Sequence, residues 1–208
     1  INGFDARPLQ AGRYGVMPVL QLNGLEKPVS RLVLGTDNQI DAATMAAMAD
    51  AFFEQGGTCF DTAHIYSRGM SEKALGAWIK ARGIRENVVI LGKGAHPPEC
   101  TPDAMARQLE ESLDRLQTDY LDIYCLHRDN PDIPISEWVD ALHAEMDKGR
   151  IRVFGGSNWT AARSFRDFRR EVGAASTDFS FLDFILWAAD RAEIIAPLDN
   201  DESRDNRI

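Results

Sequence analysis

The sequence predicts an α/β protein, a (β/α)8 barrel, and three observations carry that expectation. Apolar runs alternate five times with stretches of helical periodicity, and the runs are continuous, as in strands buried on both faces of a parallel sheet. Polar residues recur where successive runs end: Asp61, Lys93, His127, then Ser157 and Asn158. A closed barrel brings those carboxyl ends together at one mouth, where functional side chains collect. Finally, LVLGTDNQ lacks the G-x-G-x-x-G fingerprint that follows the first strand of an open dinucleotide-binding sheet.

The elements can be justified in order. VLQLNGLEKPV (19–29) alternates around Asn23-Gly24, a dipeptide suited to a tight hairpin turn. LVLGT (32–36) is a short strand ending at a glycine, and DAATMAAMADAFFEQG places Ala and Met at helical spacing before Gly56-Gly57. TCFDTA is the next strand. Ser71 then opens a helix whose Ala74, Leu75, Trp78 and Ile79 share a face. VVILGKG (88–94) is a β-branched strand, and TPDAMARQLEESLDRLQTD begins with Thr101 as N-cap and Pro102 at the first helical position. LDIYCLH, ISEWVDALHAEMDKG, IRVFGGSN and TAARSFRDFRREVG complete the fourth and fifth units. Residues 1–208 read as one barrel domain, with the pattern plain over 23–170.

Composition sets outer limits. The chain has 208 residues, 44% hydrophobic and 26% charged, as ordinary globular proteins do. A net charge of −9 argues against general affinity for nucleic acid, whose phosphates repel an acidic surface. No apolar run approaches the ~18 residues of a membrane span. Cys59 and Cys125 lie in apolar runs and Cys100 makes the number odd, so reduced core thiols and a cytoplasmic setting are expected. Ile1 is neither an initiator Met nor the start of a signal-peptide pattern, so it is not expected to begin the native product. Nothing fixes an oligomeric state.

FDTAHIYSRGMSEKALG (60–76) poses the chemical question, because core packing explains neither Asp61 nor Tyr66. Each residue has a bland reading: Asp61 as a turn cap, Tyr66 as a packed aromatic, His127 as a satisfied core histidine. A buried Lys93 ammonium needs a partner, and an ion pair with Asp61 would satisfy it without catalysis. Their joint placement after consecutive strands also suits proton handling. A phenol of pKa ~10 donates poorly at neutral pH, and a nearby ammonium lowers its pKa by stabilising the tyrosinate. A barrel hydrolase using a metal would need clustered ligands, yet His64, His96, His127 and His143 form neither H-x-H nor H-E-x-x-H, so no metal is expected.

FDTAHIYSRGMSEKALG, VVILGKGAH, LDIYCLHRDNP and GGSNW, in that order, resemble the aldo-keto reductases from about Asn23 to about Arg170. The resemblance implies a barrel whose floor is closed by the hairpin, and a tetrad of Asp61, Tyr66, Lys93 and His127. It implies NADPH (NADP) as cofactor, with Ser157 and Asn158 on the nicotinamide carboxamide and Gly35, Thr36 and Asp61 near the nicotinamide. The substrate implied is a small aldehyde or ketone, reduced with Tyr66 as general acid. A non-catalytic barrel of the same ancestry, serving as a nucleotide-binding or regulatory module, is the alternative. Glu72 matches the family's S-E-x-x-L-G stretch, although charge at a helix amino terminus explains it locally.

The pattern departs from the family toward the end of the chain. DFSFLDFILW, which contains Asp183, offers a sixth strand, and APLDNDESRDNRI reads as a solvated tail over the end of 171–208. Seventh and eighth strands and the basic segment for the adenosine phosphate have no match. The expectation is therefore an incomplete barrel: a fragment, a chain with internal residues absent, or one completed by another chain.

Overall fold

Five parallel strands stand side by side in the order in which they occur along the chain. The computed structural model describes residues 17–159. In it β1 (Val19–Leu20) and β2 (Val29–Ser30) form a small antiparallel pair. They precede β3 (Val33–Gly35), α1 (Ala42–Glu54), β4 (Cys59–Asp61) and α2 (Met70–Arg82). Next come β5 (Val89–Gly94), α3 (Pro102–Leu116), β6 (Leu121–Leu126), α4 (Ile135–Asp147) and β7 (Ile151–Gly156). The main sheet runs β3-β4-β5-β6-β7 with every pair parallel. Consecutive strands as neighbours, each pair joined through a helix, is the winding of a barrel wall. The fifth helix, the sixth strand, Asp183 and the tail lie outside the described residues.

Local chemistry accounts for the helix boundaries. Asp41 accepts the Thr44 backbone N–H at 2.7 Å ahead of α1, and Thr101 accepts that of Ala104 at 3.2 Å ahead of α3, with Pro102 in the first turn. Gly83, at φ +64°, ends α2 by donating its N–H to the Ile79 and Lys80 carbonyls.

The strands sort their side chains into two compartments. Phe60, Ile90, Tyr124 and Phe154 face the helices, where Trp78, Leu109 and Trp138 are buried against them. Cys59, Val89, Leu91, Ile123, Cys125 and Val153 form a separate inner cluster. Each large side chain so buried contributes about 1.5–3 kcal/mol. With a period of two, Asp61 follows Cys59, Lys93 follows Leu91 and His127 follows Cys125 onto the inward side. The polar ends of the strands are thus the top layer of the inner compartment. All three cysteines are buried free thiols.

Leu22, Leu25 and Val29 of the hairpin join the inner cluster, so the hairpin forms its floor. The connection is wider than the tight two-residue loop expected. Leu25 N–H bonds Leu22 O at 3.1 Å around Asn23 and Gly24, but the strands pair only at Val19–Ser30 and Leu20–Val29. Burying both leucines takes precedence over a longer ladder. Lys27 fastens this floor, reaching buried Asp122 of β6 at 2.9 Å, and Arg85 meets the same carboxylate at 2.9 Å.

Gly76 sets how closely α2 approaches α3. A methyl group there would lie 2.5 Å from the Leu116 carbonyl oxygen and 2.7 Å from its carbon, and backbone does not yield cheaply. Alanine would gain about 1 kcal/mol in helix propensity but lose about 1–3 kcal/mol to overpacking. Gly76→Ala is therefore expected to lower the thermal midpoint; an unchanged or raised midpoint would show that the helices separate freely.

Candidate active site

Backbone hydrogen bonds register the loops above the sheet. Thr62 N–H bonds Leu91 O at 2.9 Å and His64 N–H bonds Lys93 O at 2.9 Å, extending the β4–β5 pairing past the end of β4. His127 N–H bonds Gly94 O at 2.6 Å and Ser157 N–H bonds Leu126 O at 2.8 Å. Neighbouring strand ends are thus tied together, and the side chains they carry are held at one level.

The tetrad residues converge there. Lys93, 3% exposed, donates to Asp61 Oδ1 in a close ion pair. The same ammonium lies 5.0 Å from the centre of the Tyr66 ring. Across from it, the His127 ring stands edge-on to Tyr66, with 5.8 Å between ring centres. A lysine so deeply buried would ordinarily lose its proton. Burial is the largest single influence and pulls its pKa down, but the Asp61 charge, the Tyr66 phenol and the hydrogen bond to Asp61 together outweigh it and the net direction is upward, so the side chain stays an ammonium.

Tyr66 differs from the expectation of a lowered pKa. Burial raises it most, Lys93 opposes by charge and by hydrogen bonding, and the net direction is upward. The ammonium moderates the effect of a buried environment without reversing it, so the phenol keeps its proton throughout the neutral range.

His127 is held neutral. Burial first, then the Lys93, Arg128 and His96 charges, lower its pKa to about 3 from 6.5. Among the described residues, no hydrogen-bond partner meets its buried Nδ1. The depressed pKa has a consequence for stability. Above pH ~6.5 the imidazole is neutral in both folded and unfolded chains, and its contribution is fully present. As pH falls toward about 3 the unfolded chain takes up the proton first, and stability declines by at most about 1.4 kcal/mol per pH unit. His127→Gln should flatten urea midpoints between pH 6.5 and 4.5 relative to the wild type; equal slopes in both would refute this.

Thr36 and the residues after β7 border the same mouth. Thr36 is fully buried and donates Oγ1–H to Asp61 O at 2.9 Å, while a side chain at Gly35 would meet none of the described residues within 4 Å. Asn158, at φ +61°, donates its amide to His127 O at 3.2 Å and to Ser157 Oγ at 2.8 Å. Both bonds use the amide nitrogen, leaving Oδ1 as an acceptor. Trp159 packs its indole over Gly156. Among the described residues no group of three or more His, Cys, Asp or Glu side chains could hold a metal ion.

Two neighbours were not singled out from the sequence. The His96 ring sits edge-on to His127 with centres 4.9 Å apart. Arg115 of α3 reaches His64 O at 3.1 Å and Glu72 Oε2 at 3.0 Å. Glu72 does stand in the first turn of α2, but it is 0% exposed, and burial raises its pKa most while Ser112 and Arg115 oppose. Arg115 falls on the buried stripe of α3 that includes Gln108 and Ser112, which was its only sequence signal. Between His64 and Glu72 the backbone is unusual. Ser67, Arg68 and Gly69 adopt φ of 47°, 56° and 82°, and a left-handed conformation costs a non-glycine residue roughly 1–2 kcal/mol.

Wall and mouth together define an α/β-barrel protein with a charged, phenol-bearing centre at the carboxyl ends of its strands. The model of the aldo/keto reductase family matches residues 31–183, and the chain belongs to that family. It is 35% identical over 133 residues to aldo-keto reductase YhdN of Bacillus subtilis, covering 61% of this chain and 39% of that protein. It is 36% identical over 126 residues to human aflatoxin B1 aldehyde reductase member 4, covering 59% and 38%. Among solved structures, the thermostable aldo-keto reductase Tm1743 with the inhibitor epalrestat superposes with a TM-score of 0.66 at 30% identity, covering 74% of this chain and 58% of that one. An aldo/keto reductase from Klebsiella pneumoniae with NADP and acetate gives a TM-score of 0.62 at 35% identity, covering 70% and 51%. The chain spans less than two thirds of the length of these relatives. No helix among the described residues is long and apolar enough to cross a membrane.

Proposed function

We propose that the protein reduces a small aldehyde or ketone to an alcohol, with NADPH as reductant and Tyr66 as the proton donor. The observation that carries this reading is the Lys93 ammonium, paired with Asp61 and set 5.0 Å from the Tyr66 ring. Relatives add support: one is called an aldehyde reductase, and one solved neighbour holds NADP.

Reduction of a carbonyl needs a hydride at carbon and a proton at oxygen. NADPH supplies the hydride when bound. The side chains fit such a group: Asn158 Oδ1 is an acceptor for a carboxamide N–H, Ser157 offers a hydroxyl, and Gly35 leaves room for a flat ring to approach. Thr36 braces the Asp61 backbone beneath that position. The fit concerns the nicotinamide end.

The proton is the protein's task. Tyr66 donates O–H to the substrate oxygen as negative charge develops there, and the Lys93 ammonium stabilises the resulting tyrosinate. Asp61 keeps the ammonium charged and in place. His127, neutral, donates its Nε2–H to the same substrate oxygen and fixes its orientation; protonation is suppressed, so it does not compete as the acid. Residues 1–208 are read as parts of one barrel domain of a cytoplasmic protein, acting on a small molecule.

The full-length chain should alter NADPH fluorescence on mixing, and the reduced-cofactor absorbance should fall when a generic aromatic aldehyde is added. Cofactor binding without turnover would favour a regulatory module, and no binding would remove the reading.

A further inference from the structure

The reductase reading gives no role to the buried Glu72–Arg115 pair behind the site. We propose that Arg115 is a positioning residue for Tyr66, clamping both ends of the left-handed turn that presents the phenol; the proposal rests on that reading.

The clamp is a single guanidinium. Nη1 donates to the carbonyl of His64, two residues before Tyr66, at 3.1 Å. The same nitrogen donates to Glu72 Oε2 at 3.0 Å. Nη2 donates to Glu111 Oε2 at 2.9 Å, and His64 Nε2 lies 2.8 Å from that oxygen. On the other side of the turn, the guanidinium lies flat against Gly69: a Cβ there would sit 2.5 to 2.7 Å from Nη1, Cζ and Nε. One planar group therefore touches the chain before and after Tyr66.

The turn needs such support. Within it, Tyr66 N–H bonds Ala63 O and Arg68 N–H bonds Ile65 O, at 3.0 and 3.1 Å, while Ser67 and Arg68 keep left-handed φ values. Strained backbone persists where surrounding groups over-determine it. Glu72 supplies the counter-charge that lets the guanidinium stay in the interior. Lysine could not replace it, because an ammonium lacks the flat fork that serves three acceptors while packing on Gly69.

The test is a double-mutant cycle on the full-length chain. Arg115→Lys should lower kcat by about ten- to a hundredfold, as expected for misplacing a reacting group by ~1 Å, with NADPH affinity unchanged. In the Tyr66→Phe background the same substitution should cost almost nothing. Equal losses in both backgrounds, or no loss in either, would overturn the positioning role. Should Arg115→Lys fail to fold, Glu111→Gln replaces it, because that carboxylate is 45% exposed. It should give a smaller fall, of about two- to fivefold, only when Tyr66 is present, and no fall overturns the proposal.

A second readout does not depend on turnover. The Tyr66 titration, taken as tyrosinate absorbance of wild type minus the Tyr66→Phe variant, should move down in Arg115→Lys as the phenol gains solvent. Burial is its largest influence, and an unmoved titration overturns the role. A chain that binds NADPH yet reduces no carbonyl while this titration moves would remove the reductase reading alone. An inactive Tyr66→Phe variant beside an unaffected Arg115→Lys would remove the positioning role alone.

Discussion

Tyr66→Phe is expected to lower carbonyl reduction by about 10²–10⁴-fold while leaving NADPH binding unchanged. The substitution removes one oxygen from a partly buried ring whose edge-on contact with His127 and proximity to Lys93 both survive in phenylalanine. The loss should therefore appear in kcat, without a matching rise in KM. Wild-type activity should also fall as alkaline pH deprotonates the phenol, at a pH above the ordinary tyrosine value because burial raises its pKa. That limb should be absent from the residual activity of the variant. A variant reducing aldehydes at near wild-type rate would give the proton donation to a group other than Tyr66.

Lys93→Met should abolish measurable turnover and cost the fold about 3 kcal/mol. The stability loss arises from the carboxylate left behind. Asp61 is 17% exposed and faces the inner compartment, and it would lose its counter-charge in surroundings that solvate it poorly. Adding Asp61→Asn should restore much of the urea midpoint, because an uncharged pair of similar size tolerates burial, but it should restore no activity. Recovery of turnover in the double variant would mean that the ammonium is structural. If Lys93→Met alone unfolds at the wild-type midpoint, the ion pair contributes little to stability, and water at the mouth must already screen Asp61.

Much of this site is legible because period-two alternation and the parallel barrel convert sequence position into direction. Asp61, Lys93 and His127 each stand at the end of an apolar run, and the alternation that places Cys59, Leu91 and Cys125 inside also places them inside. Thr101 and Pro102 begin α3 for reasons contained within four residues. What stays hidden involves partners distant in the chain. Arg115 and Glu72 are 43 residues apart on different helices, and neither residue's neighbours reveal that one buried charge answers another. The width of the hairpin is likewise decided by the space beneath the inner cluster and not by Asn23-Gly24. Tyr66's raised pKa depends on how much solvent the folded loops exclude, a property no residue type specifies.

The hairpin floor separates two tasks along the barrel axis. Lys27, Arg85 and Asp122 lock the amino-terminal end with paired charges, while the loops at the opposite end carry the reactive groups. Diversity introduced into RDNPDIP or the segment after Lys93 would leave that lower lock untouched. Libraries for new substrate preference can accordingly be confined to one rim.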